Sequence, residues 1–318
     1  MQKKQATWEL INKSLHLQIP VMLLYVLESN GSSPGRQGFF MAVNLTGEMQ
    51  GSIGGGIMEH KFVEMAKEQL RHTEQLLSVR KQVHDKSSKH QSGMICSGDQ
   101  TMLIYRLQPG DMTTVNNILV NLQTSGDGIL QLSPGGIGFE NSTGNNFYFR
   151  MHSEADWLYR ERLGYKNKIF IIGGGHCSLA LSKIMRMMDF YVHVFDHRTD
   201  LHTLLQNEAA HEKTIIPDYS QLCIPEGLHH YVVLMTLGYR TDDAALRTLL
   251  HRHYRYVGVL GSQTKINQLF SDYLAAGIEE TVLSRLHAPV GMPIKSQTPE
   301  EIAISIAAEI IQVKSIPL

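Results

Sequence analysis

Gly173, Gly174 and Gly175, followed at once by His176 and about 20 residues later by Asp196, are the residues best suited to chemistry. A glycine turn between a strand and a helix lets the backbone approach a phosphate. The helix N-terminus then offers free N–H groups and partial positive charge. An acid just past the next strand, Asp196 in Asp196-His197-Arg198, accepts hydrogen bonds from a ribose or another polyhydroxylated group. Gly173 and Gly175 fill the first two positions of the dinucleotide fingerprint, and Ser178 stands at the third. Serine is small enough for close helix–strand packing, so a nucleotide-type fold survives the change while a standard dinucleotide site is less secure.

Other groups qualify less strongly. Gly261-Ser262-Gln263-Thr264-Lys265 follows an apolar run and opens another helical pattern, with Ser262 as its N-cap and Lys265 as a cation for a bound anion. A capped helix with a solvated lysine is the plain structural alternative. A second triple glycine, Gly54, Gly55 and Gly56, precedes Glu59 and a helix. It reads either as a second cradle or as a tight turn needing positive φ. Cys96 stands at a loop edge, where a thiol is either a soft-metal ligand or a buried structural residue. Cys177 lies near a helix N-terminus, where thiol pKa values fall, although a small buried residue is the simpler reading. His251 and His253, two apart, face different ways on a helix and make no metal site. The sequence carries no Ser-His-Asp set, paired acid–base carboxylates or Walker lysine loop.

These groups need elements to hold them. The patterns predict a helix over 8–17, strands over 21–27 and 39–43, and a helix after Gly56 with Phe62, Met65, Ala66, Gln69 and Leu70 on one face. A strand over 101–107 and a helix over 112–122 follow. Residues 133–146, rich in Gly, Ser and Asn, read as loop. A polar stretch over 152–167 then separates two domains, 1–152 and 166–318. Beyond it, strands near 169–172, 190–195, 213–216, 231–235 and 255–260 alternate with helical patterns. That alternation implies α/β architecture with a mostly parallel, doubly wound sheet, preceded by a small α+β domain. In such a sheet ligands bind outside the carboxyl ends of the strands, which puts 173–176, 196–198, 236–243 and 261–265 on one edge. The residues alone predict an anionic, phosphate-bearing ligand between the two domains.

Composition sets the outer bounds. With 318 residues, 42% hydrophobic and 19% charged, the chain reads as an ordinary soluble protein of two domains. A net charge of −1 without a basic stripe argues against nucleic acid as a partner. No apolar run is long enough for a membrane span, and the first residues hold no secretory h-region. Three scattered cysteines form neither a disulfide framework nor a CxxC site, which fits a reducing cytoplasm.

In order along the chain, these landmarks resemble the xanthine dehydrogenase accessory protein family of the XdhC/CoxI type. The matching pieces begin with Ser32-Ser33-Pro34-Gly35-Arg36, Gly51-Ser52-Ile53-Gly54-Gly55-Gly56-Ile57-Met58-Glu59 and Cys96-Ser97-Gly98. They continue with Gly173-Gly174-Gly175-His176, Phe195-Asp196-His197-Arg198, Tyr256-Val257-Gly258-Val259-Leu260-Gly261-Ser262, His287-Ala288-Pro289-Val290-Gly291 and Thr298-Pro299-Glu300-Glu301-Ile302-Ala303. The resemblance implies a small N-terminal domain before a Rossmann-like one. It also implies a non-catalytic chaperone that binds the molybdenum cofactor, a pyranopterin in mononucleotide or dinucleotide form. Such a protein shelters the cofactor while a cysteine desulfurase replaces an oxo ligand by sulfur, then delivers it to a xanthine dehydrogenase-type apoenzyme. On this reading the chain is a cytoplasmic homodimer with its ligand in the interdomain cleft, and Cys96 meets the molybdenum. The cofactor-binding set is then Gly54, Gly55, Gly56, Glu59, Cys96, Gly173, Gly174, Gly175, His176, Asp196, Arg198, Gly261, Ser262 and Lys265. The chain departs from the family pattern at Ser97, where a glycine is usual, and at Leu237, where a histidine often follows the threonine. The alternative is an NAD(P)-dependent oxidoreductase using Gly173, Gly174, Gly175 and Asp196.

Overall fold

The computed structural model describes residues 2–31, 33–72, 76–84, 98–124, 126–142 and 147–317. They fall into two compact units, Met1–Gly164 and Tyr165–Leu318.

The first unit is α+β. Helix α1 (Gln2–His16) precedes strands β1 (Val21–Gly31), β2 (Phe40–Asn44) and β3 (Met49–Gly51), and helix α2 (Gly56–His72) follows. Strands β4 (Leu77–His84) and β5 (Gly98–Arg106) complete an antiparallel sheet in the order β3-β2-β1-β5-β4. Helix α3 (Met112–Gln123) leads to a second sheet, β7-β6-β9-β8, built from β6 (Gly128–Ser133), β7 (Gly136–Glu140), β8 (Phe147–Ser153) and β9 (Asp156–Leu163). The α2 face that packs on β1, β2 and β5 is Met58, Phe62, Val63, Ala66 and Leu70. Of the expected face, Phe62, Ala66 and Leu70 are buried and Met65 packs partly against the same core, while Val63 is buried too and Gln69 is only half-buried.

Two stretches differ from expectation. Residues 133–146 contain β7, because Ser133 pairs with Gly136 across a two-residue turn and Gly136 takes φ +103°. The polar stretch 152–167 contains β9, whose Trp157, Tyr159, Glu161 and Leu163 point inward. Glu161 hides the period of two, since a carboxylate occupies an inward position. It is held there by Lys4, Tyr25 and, at 2.9 Å, Tyr159.

The second unit is doubly wound. Strand β10 (Asn167–Ile172), helix α4 (His176–Met187), β11 (Phe190–Asp196), α5 (His202–Leu205) and β12 (Glu212–Ile215) make one half. The other half is β13 (Gly227–Leu234), α6 (Tyr239–Arg247), β14 (Tyr254–Val259), α7 (Gln263–Ala275), α8 (Glu280–Leu283) and α9 (Pro299–Ser315). The five strands are parallel in the order β12-β11-β10-β13-β14. Both sheet faces are covered over the carboxyl halves of β10, β11, β13 and β14, which are buried there in unbroken runs rather than alternating, while the edge strand β12 is mostly exposed. Ile169 and Ile171 face α4 and α9, while Phe170 and Ile172 join Leu246 and Leu269 on the other side. Helix α9 starts at a capping box between Thr298 and Glu301 with Pro299 at its first turn, the arrangement that sequence type favours.

Candidate functional site

Strand order reverses between β10 and β13, so the loops after these two strands flank the switch point where open α/β sheets bind ligands. The loops touch: Met235 N–H donates to Ile172 O at 2.8 Å, and a Cβ on Gly173 would lie 2.4 Å from Met235 O. Gly173 also has φ +106°, so this position admits glycine alone without strain. Gly174 packs against Leu201 and Leu204. Gly175 is different, because a Cβ there would meet nothing within 4 Å. It is the N-cap of α4 and supplies no side-chain cap; His176, next in line, is exposed. Gly238 does the same at the start of α6, again with open space above it. Two helix N-termini that no side chain caps therefore border the switch point, each led by a glycine with room for a ligand atom.

Asp196 is turned inward. Its side chain has no exposed surface. Oδ2 accepts from Gly174 N–H at 2.6 Å and from Arg198 Nη2 at 2.7 Å, and Oδ1 accepts from Arg198 N–H at 2.9 Å and Nε at 2.8 Å. A carboxylate has about four lone-pair positions, and these bonds fill them. No acceptor is left for a ribose hydroxyl. Burial alone would raise this pKa, but the bonds from Arg198 and Gly174 outweigh it and hold the carboxyl down at about 2. Asp196 and Arg198 thus brace the glycine turn from below.

A second brace stands behind the β13 loop. Asp242, fully buried on α6, accepts from Thr236 Oγ1 at 2.6 Å and pairs with Lys265 Nζ. Lys265 also donates to Leu260 O at 3.0 Å, and Ser262 Oγ caps α7 by accepting from Lys265 N–H at 3.3 Å. The anion that Lys265 meets is therefore an aspartate of this chain. Gly261 packs on the same side chain, with its Cβ position 2.9 Å from Lys265 Cδ. Thr236, Gly238 and Asp242 lie in the stretch the sequence placed on this edge, which includes the start of α6, but nothing local marked Asp242 as buried. Leu237, by contrast, is 74% exposed. Ser178, at the third fingerprint position, is buried, and its Oγ has no hydrogen-bond partner among the described residues.

The first unit's glycine turn is organised otherwise. Gly54, Gly55 and Gly56 all take positive φ, at +127°, +76° and +69°. Gly54 packs against the Pro34-Gly35 peptide. Glu59 folds back onto the turn and accepts from Ser52 Oγ at 2.7 Å, Ile53 N–H at 2.9 Å and Gly55 N–H at 3.0 Å. Burial would raise the pKa of Glu59, yet these donors bring it below the usual carboxylate range. The cradle holds a carboxylate of its own. Cys96 lies outside the described residues. Cys177 is half-buried, and burial, with Glu300, pushes its thiol up rather than down. Among the described residues no cluster of His, Cys, Asp or Glu has the makings of a metal site, His251 and His253 included. No helix among them is long and apolar enough to cross a membrane.

The parallel-sheet edge can thus bind an anion through two uncapped helix ends. Its best-placed acid is spent on structure, bonded to Gly174 and Arg198.

Comparison with known proteins gives a consistent result. Residues 169–310 match the XdhC Rossmann domain, and residues 15–80 match the XdhC and CoxI family. The chain is 25% identical over 312 residues to the uncharacterized protein YqeB of Escherichia coli K12, covering 93% of this chain and 44% of that protein. It is 27% identical over 167 residues to a probable xanthine dehydrogenase component of Bacillus subtilis 168, covering 49% and 46% respectively. The chain spans less than half the length of these curated relatives. A crystal structure from Bacillus halodurans, described as a xanthine dehydrogenase, shares the fold with a TM-score of 0.69 at 23% identity, over 97% of this chain and 96% of that one.

Proposed function

The chain belongs to the XdhC and CoxI family, and from that premise we propose that it is a non-catalytic accessory protein of a xanthine dehydrogenase-type molybdoenzyme. In this role it binds the molybdenum cofactor, shelters it during sulfuration by a cysteine desulfurase, and passes it to the apoenzyme. A cytoplasmic homodimer is part of the same proposal.

The observation that carries it is the pair of uncapped helix N-termini at Gly175 and Gly238, with space above both glycines. The phosphate end of the cofactor fits such a place, because free N–H groups and the helix dipole favour an anion. Gly175, His176 and Gly238 would hold that end, and Gly173, Gly174, Asp196 and Arg198 would keep the turn in shape. Ser262, Lys265 and Asp242 would brace the neighbouring loops, and Cys96 would meet the metal end. When bound, the group supplies a phosphate or pyrophosphate and a molybdenum centre that favours thiolate ligands.

A nicotinamide-dependent oxidoreductase is the second reading, favoured by the strand order of the second unit. The filled acceptor positions of Asp196 weigh against it.

The deciding experiment is the molybdenum and pterin content of the protein purified from a molybdate-supplied host. Both should be present, and addition to a molybdenum-free apoenzyme with cofactor and a sulfur donor should raise that enzyme's activity. A folded protein that carries neither and activates nothing would end the proposal.

A further inference from the structure

At the opposite edge of the parallel sheet, where β14 begins, lies a cavity of about 250 Å³ lined by Arg252, Arg255 and Arg285. Leu250, Val257 and Leu286 are among its apolar walls. Each guanidinium has five N–H donors, and the acceptors they meet are main-chain carbonyls, an imidazole nitrogen and the phenol oxygens of Tyr231 and Tyr254. Arg252 donates to Ile224 O at 3.0 Å, and Arg255 to the carbonyls of Val313 in α9, at 2.8 Å, and of Ile316 just past it. Arg285 donates to Arg252 O at 3.2 Å and reaches His253 Nδ1 at 3.4 Å. None of the three pairs with a carboxylate among the described residues. Of the acids near the cavity, Glu226 accepts from His253 N–H at 3.0 Å and Glu309 from the lining Tyr256 OH at 2.5 Å.

Three like charges around one small cavity repel one another, and an anion placed among them relieves that repulsion. Arginine forks match phosphate oxygens in pairs, which gives the cavity a chemical preference as well as a charge. Its volume lies below the roughly 300–1,000 Å³ of sites for drug-sized ligands, so the occupant is compact. The apolar walls suit a short carbon skeleton behind the charged head. We propose that this cavity is a binding site for a small phosphorylated metabolite, separate from the glycine-turn edge.

The test uses the full chain, with inorganic phosphate titrated at constant ionic strength and thermal unfolding as the readout. Phosphate should raise the unfolding temperature of both the unaltered protein and Gly175→Val, whose glycine-turn edge is blocked. Arg285→Gln, at an exposed position, should fold normally and weaken the phosphate response at least about tenfold. Arg252→Gln should do the same. Arg255 is left intact because it holds the end of α9. No stabilisation through millimolar phosphate, or an equal response in both arginine variants and the unaltered protein, would overturn the site. So would loss of the response in Gly175→Val alone, or tighter binding of succinate than of phosphate.

Discussion

The carboxylate of Asp196 accepts the Gly174 N–H at 2.6 Å, which ties the end of β11 to the turn that follows β10. The same carboxylate holds Arg198 through three further bonds. An acid in this position of a doubly wound sheet commonly reads the ligand; in this chain it shapes the loop the ligand would meet.

That arrangement has an acid limb. The folded-state pKa of Asp196, about 2, lies below the unfolded value of about 3.9. Its stabilising contribution is therefore complete above about pH 4 and is lost as pH falls towards 2, roughly 2–3 kcal/mol in all. Asp196→Asn should lower stability at neutral pH and flatten the decline between pH 4 and 2 in urea melts. An unchanged acid limb in that variant would remove Asp196 as its source.

The adjacent glycines should separate cleanly. Gly173→Ala places a Cβ 2.4 Å from Met235 O at φ +106° and should cost about 2–4 kcal/mol. Gly175→Val meets no protein atom within 4 Å of its Cβ. It should leave the melting temperature nearly unchanged while abolishing cofactor retention. Retention equal to that of the unaltered protein would remove the Gly175 turn from the ligand site.

Lys265 and Asp242 form a pair in which the acid is fully buried and the lysine partly so. Lys265→Met leaves the aspartate unpaired and should destabilise by about 3–5 kcal/mol. Adding Asp242→Asn should recover much of that loss. If the single variant is as stable as the parent, the pair is not what braces the β13 loop.

A second pH marker is His211. Its Nδ1 accepts from Val192 N–H at 3.0 Å and its Nε2 meets Tyr165 OH, so the ring is held neutral. Burial first, then Arg186, lowers its pKa to about 4. Its contribution is complete above the unfolded value of about 6.5 and is lost as pH falls from there towards 4. An NMR titration should show the ring neutral at pH 5; a midpoint near 6.5 would refute this.

The cysteines offer a test of the metal end. Cys96→Ala should reduce molybdenum retention, whereas replacing the exposed Cys223 by alanine should not. Equal retention in the two variants would return Cys96 to a structural role.

Local pattern alone determined the second unit: apolar runs, glycine turns and helical spacing in alternation specify a doubly wound parallel sheet, since four of the five strands end in runs buried on both faces. It also determined the Ser262 cap and the edge on which the loops gather, because these depend on residues a few positions apart. What local pattern could not carry was the use of the acids. Asp196 and Glu59 read as acids for a ligand, and Asp242 and Glu161 drew no reading, yet all four accept bonds from this chain's own donors. Three of those partnerships bridge separate segments, and a one-dimensional pattern does not reveal which charges meet. For the same reason, β9 was hidden behind its inward Glu161. The two triple glycines also parted ways only in the fold: 54–56 is left-handed throughout and filled by Glu59, whereas 173–175 has one such residue and an open end. Backbone handedness at glycine costs almost nothing locally, so the surrounding packing, not the triplet, decides it.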